Sequence, residues 1–171
     1  MKKSIWILGL GLVLLFNFGF DAQAQPKEVT ESLTTTYYVP AKVLPLGEGR
    51  AFMSYEGFGV TVSDTGEGLF HEATIRVLGS MTIEKGVYND ERGWGVWNLK
   101  NGDKVFFNYR FAGETRPAVG GKGKGTVTFS GGTGKCAGIQ GTFEAERYTL
   151  VSALEGVGQT YTKAKVKYNL P

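Results

Sequence analysis

From residue 33 onward the chain alternates strand-like runs with turns rich in Gly, Asn and Asp, and no segment sustains a helical apolar period. A period-two run buries one face only when other strands lie beside it, so a chain patterned this way must build sheet. The runs fall at residues 33–43, 50–62, 69–78, 81–88, 94–99, 104–111, 125–130, 141–151 and 158–169. Eight or nine strands in a chain of 171 residues fit one small antiparallel barrel, which removes sheet edges by closing on itself. A two-sheet sandwich is the alternative at this level. The 26 glycines follow no three-residue period, which excludes collagen. With 42% hydrophobic and 20% charged residues the chain is neither disordered nor strongly basic.

The start of the chain has a different character. Lys2 and Lys3 precede an apolar run over residues 5–20, and Ala22-Gln23-Ala24 follows as a small-x-small cleavage pattern. Residues 1–24 therefore read as a secretory signal peptide, and an extracytoplasmic location, periplasmic or secreted, is expected. The apolar run is shorter than the ~20 residues that span a bilayer, so no membrane span is expected after cleavage. Residues 25–31 are polar and read as a flexible arm, leaving residues 32–171 for the barrel.

Few residues offer conventional site chemistry. The single cysteine excludes an internal disulfide and any multi-cysteine metal centre, and one histidine excludes the common His-rich sites. No metal or other cofactor is expected. The formal charge of +3 is a small excess, and the lysines of GKGKG at residues 121–125 have no interleaved aromatics, so nucleic acid is not an expected partner. The GTGK at residues 132–135 fails as a phosphate loop. Phe129 stands where the first glycine belongs, Cys136 where Ser or Thr belongs, and a strand follows instead of a helix. Cys136 has no activating neighbour in sequence and reads as a small buried hydrophobe.

Face assignments select candidate residues. A tight turn centred on Asn101-Gly102 pairs Leu99 with Lys104 and Trp94 with Tyr109. That register places Trp94, Val96, Asn98, Val105, Phe107, Tyr109 and Phe111 on the interior. It puts Trp97, Leu99 and Phe106 together on the outer wall, an apolar patch of the kind that marks an interface. Period two also groups Phe52, Glu56, Phe58 and Val60 on one inward face, His71 with Ile75 on another, and Arg147 with Phe143 on a third. Glu56 and Arg147 are candidates to bind a polar head group or to pair with each other, since a buried charge needs a partner. His71 reads as a general base or as a rim residue.

Two segments carry a resemblance. GTVTFSGGTGKCAGIQGTF, residues 125–143, resembles the GGTG-x-x-AG-x-x-G-T/S connection of the allene oxide cyclase and dirigent-like β-barrels. GWGVWNLKNGDKVFFNY, residues 93–109, is similar to the Gly-rich hairpin of secreted bacterial members. The resemblance spans residues 47–169 and departs from the family at Cys136, where an aromatic residue is common. It implies an eight-stranded, calycin-like barrel, a homotrimer as in plant members, and an apolar interior that binds hydrophobic small molecules. No catalytic set of the plant cyclases maps onto this chain.

Three functions follow as expectations. The first is an exported, non-enzymatic barrel that binds a small apolar ligand through Phe52, Glu56, His71, Trp94, Phe107, Tyr109 and Arg147. The second is a cyclase- or isomerase-like enzyme using Glu56, His71 or Tyr109 as acid–base groups. The third is a structural or interaction protein with a filled barrel. The homotrimer is assigned to Trp97, Leu99 and Phe106.

Overall fold

The structure, a computed structural model, describes residues 28–116 and 119–170; residues 1–24, read above as a signal peptide, lie outside the described residues. Eight strands run in chain order: β1 Glu28–Gly47, β2 Arg50–Ser63, β3 Ala73–Glu84, β4 Val87–Asn98, β5 Lys104–Arg116, β6 Gly120–Gly132, β7 Thr142–Leu150 and β8 Val157–Asn169. Each pairs antiparallel with the next, and β1 pairs β8 from Glu28 opposite Asn169 to Pro40 opposite Val157, so the sheet closes into a barrel. Closure excludes the sandwich. The candidate runs 69–78 and 81–88 are largely one strand, β3, continuing through Gly79.

The polar stretch read as an arm is strand from Glu28 onward. Its inward Glu31 is buried and accepts hydrogen bonds from the backbone N–H groups of Leu69 (2.9 Å) and Phe70 (3.4 Å) and from the Tyr168 hydroxyl (2.5 Å). These bonds hold the β2–β3 connection across one end of the barrel. Phe70, fully buried, packs there against Trp97, Phe129 and Tyr168, with ring centroids 5.0, 5.8 and 5.6 Å away. Cys136 and Ile139 are buried at the same end. Burial, followed by the nearby Asp103 charge, raises the Cys136 thiol above its usual range. This end is an aromatic plug.

The β4–β5 hairpin corrects the expected register. Leu99 N–H bonds Asp103 O (2.9 Å), Gly102 N–H bonds Leu99 O (3.0 Å), and Gly102 has φ +86°. The loop is thus the three residues Lys100, Asn101 and Gly102, with glycine in the left-handed position that such loops require. Asp103 fixes it: its N–H bonds Asn101 Oδ1 (3.0 Å) and its carboxylate accepts from Lys135 N–H (3.1 Å). Trp97 therefore faces Val105, and Asn98 faces Lys104. A slip of one residue turns a whole strand over. Trp97 and Leu99 point inward, while Trp94, Val96 and Asn98 point outward, with Trp94 66% exposed. The patch of Trp97, Leu99 and Phe106 does not exist as a surface, since only Phe106 is exposed. The β5 assignments stand: Val105, Phe107, Tyr109 and Phe111 are interior.

Strand β2 is also reversed from expectation. Its interior carries Met53, Tyr55, Gly57, Gly59 and Thr61, and its apolar run Phe52, Phe58, Val60 and Val62 lies outside. Small residues are needed inside, because a Cβ at Gly59 would meet the Thr36 carbonyl and one at Gly57 the Val77 side chain. Apolar character alone pointed to the wrong face.

Candidate functional site

The barrel encloses a cavity of about 820 Å³. Its walls are largely apolar, including Leu33, Val39, Met53, Val77, Met81 and Val127, and its deep end rests on Trp97, Phe107 and Phe143 of the plug. It reaches the end opposite the plug, where Val43, Ile83 and the β7–β8 connection from Leu150 to Gly158 surround it. Exposed Val43, Leu150 and Leu154 make that rim apolar.

Halfway along the strands a polar centre interrupts this lining. A register irregularity between Tyr88 and Glu91 in β4 turns Glu91 inward, where its side chain is fully buried. Both of its oxygens accept from Arg147 Nη1, at 2.5 and 2.6 Å. The Tyr55 hydroxyl also donates to Glu91, and the Tyr55 and Tyr109 hydroxyls are 2.8 Å apart. Space for these phenols comes from facing glycines, since a Cβ at Gly79 or Gly93 would strike the Tyr109 hydroxyl. Arg147 also lies over the Phe111 ring, its Cζ 4.2 Å from the centroid, an arrangement that favours a desolvated guanidinium.

The environment holds the protons in place. Burial, which alone disfavours the Arg147 cation, is outweighed by Glu91 and the surrounding phenols, so the guanidinium is held above its ordinary range. Burial and then the Glu91 charge raise Tyr55, and burial is the leading cause for Tyr109, Tyr88 and Tyr37 as well. The four phenols are therefore hydrogen-bond donors at neutral pH, and Arg147 is a cation.

Of the residues selected from sequence, Phe107, Tyr109 and Arg147 line the cavity. Phe52, Glu56 and Trp94 lie on the outer wall, because β2 and β4 present the opposite faces to those expected. Glu56 does not pair with Arg147; it bonds Arg76 outside the barrel. His71 sits in the connection at the plugged end, accepting from Ser63 N–H at 3.2 Å, and does not reach the cavity. Glu91, Tyr55, Tyr88 and Tyr37 were missed. Residues 89–93 look like a turn in sequence, between the runs 81–88 and 94–99, and Glu91 reaches Arg147 from β4, a strand that does not pair with β7. The one signal was that an inward Arg147 calls for a buried carboxylate. Among the described residues no group of three or more His, Cys, Asp or Glu side chains assembles as a metal site. Comparison with known families, curated proteins and solved structures finds no match for this chain.

Proposed function

We propose that the barrel binds one small, largely apolar molecule, whose polar group is oriented by Arg147, Tyr109 and their neighbours. The observation that carries this reading is the cavity of about 820 Å³, which is apolar in most of its wall and polar at one place. Ligand sites are commonly built this way, with apolar surface supplying affinity and a few polar groups fixing orientation. Each Å² of apolar surface that a ligand buries is worth about 25 cal/mol. A barrel filled by its own side chains leaves no such volume. The resemblance to allene oxide cyclase and dirigent-like barrels agrees with this use of the interior, and the reading of residues 1–24 as a signal peptide supports an activity outside the cytoplasm.

Native mass spectrometry of the protein purified from its own host tests the reading. One small organic molecule per chain is expected, with saturable heats on titration by some of a panel of fatty acids, terpenoids and phenolics. No retained mass and no saturable response across the panel would overturn it.

A second reading, an isomerase or cyclase acting in the same cavity, is favoured by one feature. The phenols of Tyr109 and Tyr55 link the cavity to Glu91 through hydrogen bonds, an arrangement able to move a proton to or from a bound molecule. Turnover of a retained ligand by wild-type protein but not by Tyr109→Phe would select it over simple binding.

A further inference from the structure

The hydrogen-bonding groups and charges of the polar centre narrow the class of ligand. Tyr55 gives its proton to Glu91, so in the Tyr55–Tyr109 contact Tyr109 is the donor. Glu91 has no face left toward the cavity, being fully buried beneath Arg147 and Tyr55. Arg147 is different. Both of its bonds to Glu91 come from Nη1, and Nε and Nη2 carry three further N–H groups. Among the described residues those groups bond no carboxylate or backbone oxygen. They are not sealed away either, because no fully buried side-chain nitrogen or oxygen there lacks a partner, and the Arg147 side chain keeps 15% of its surface open on the cavity wall. The Tyr88 hydroxyl adjoins the guanidinium, and a phenol that accepts from an N–H still has its own proton to donate. At the polar centre the guanidinium and Tyr88 thus offer donors in excess of the accepting oxygen that Tyr109 leaves toward the cavity.

The charge is already balanced. Arg147 and Glu91 cancel, and among the described residues the only other charged side chain on the cavity wall is Glu155 in the β7–β8 connection at the mouth. A bound carboxylate would satisfy the donors but leave the interior net negative in a low-dielectric site, where an unmatched charge is costly. An uncharged acceptor satisfies the same donors without that cost.

We propose that the ligand is an uncharged apolar molecule bearing an accepting oxygen, a ketone, aldehyde or ester in class, and that the site discriminates against carboxylates. This rests on the binding reading above and goes further by naming the polar group.

The test is displacement of the neutral dye N-phenylnaphthylamine from the full-length protein. Three competitors of equal chain length are compared: methyl nonyl ketone, undecane and undecanoate, in mildly alkaline buffer where the acid is ionised. The ketone should displace the dye at concentrations at least tenfold below those of undecane and of undecanoate. In Glu91→Gln, where the interior becomes net positive, undecanoate should gain at least tenfold relative to the ketone. Equal competition by ketone and undecane, or stronger competition by undecanoate in the wild type, overturns the proposal while the binding reading survives. Absence of an undecanoate gain in folded Glu91→Gln overturns it too. Should that variant not fold, the wild-type series alone decides. Failure of the dye and of all three competitors to bind removes both readings.

Discussion

Glu31 and Glu91 are both buried on the inner face of one barrel, and their partners set them apart. Glu31 accepts from two backbone N–H groups and one phenol, all of them part of the plug, and its role ends there. Glu91 accepts from Arg147, a cation whose side chain also lines the cavity, and from Tyr55, the start of a phenol pair that reaches the cavity. Residue type is the same in the two places, and both side chains are buried. What distinguishes a structural carboxylate from one at a candidate site is whether its partners retain hydrogen-bonding capacity toward space a ligand can occupy.

Separating the two carboxylates experimentally begins with Arg147→Met. Removing the cation leaves Glu91 buried without a counter-ion, at an expected cost of about 3–5 kcal/mol. Denaturant unfolding should show that loss, and replacing Glu91 by Leu in the same chain should recover much of it. A loss under about 1 kcal/mol would mean that the pair is not desolvated as described.

The plug-side counterpart is Glu31→Ala, which leaves the N–H groups of Leu69 and Phe70 without their acceptor. An expected cost of about 1–3 kcal/mol should come with faster amide exchange at Phe70 and unchanged affinity for a cavity ligand. A large change in affinity would break the division between the two ends.

Alkaline pH acts on both centres. Tyr55, Tyr109 and Tyr168 are all raised above the ordinary 10.0, with burial the leading cause in each. The unfolded chain releases these protons as pH passes 10, while the folded barrel keeps them. Stability present below pH 10 therefore falls above it, by up to about 1.4 kcal/mol per pH unit for each of Tyr55 and Tyr109. Tyrosinate absorbance from these groups should rise together with loss of the β-sheet circular dichroism signal. Their ionisation in an intact barrel would contradict the described burial.

The smallest effect is expected outside. Trp94→Ala, on the outer wall, should change stability by no more than about 0.5 kcal/mol and leave ligand affinity unaltered, as denaturant titration and dye binding can check. A larger effect on affinity would return Trp94 to the interior.

Legibility varied strand by strand. In β5 and β7 one face is clearly apolar and the other polar, so Phe107, Tyr109 and Arg147 are assigned inward by alternation alone. In β4 both faces carry a tryptophan, Trp94 and Trp97, and the decision passes to the hairpin. A three-residue loop in place of the expected tight turn shifted the register by one and reversed the strand. In β2 the large apolar residues lie outside, because the interior there is already occupied by Tyr37, Val77 and the Thr36 carbonyl. Glu91 was hidden for a related reason: Asn89 and Asp90 look like a turn, yet they lie in a bulged strand whose irregularity points the next residue inward.

Sequence alone determined that the chain builds antiparallel sheet from eight or nine strands, since alternating runs and short turns are local features that need no distant contact to be read. The pairing of β1 with β8 decided between barrel and sandwich. The sequence also left an inward Arg147 with two roles, a polar head group to bind or a carboxylate to pair with, because a buried charge is costly unless matched. Tertiary structure decided which carboxylate that is, which tryptophan faces the cavity, and that a cavity exists. Register depends on the loop and its anchoring by Asp103, and the volume left inside a barrel depends on all eight strands packing at once.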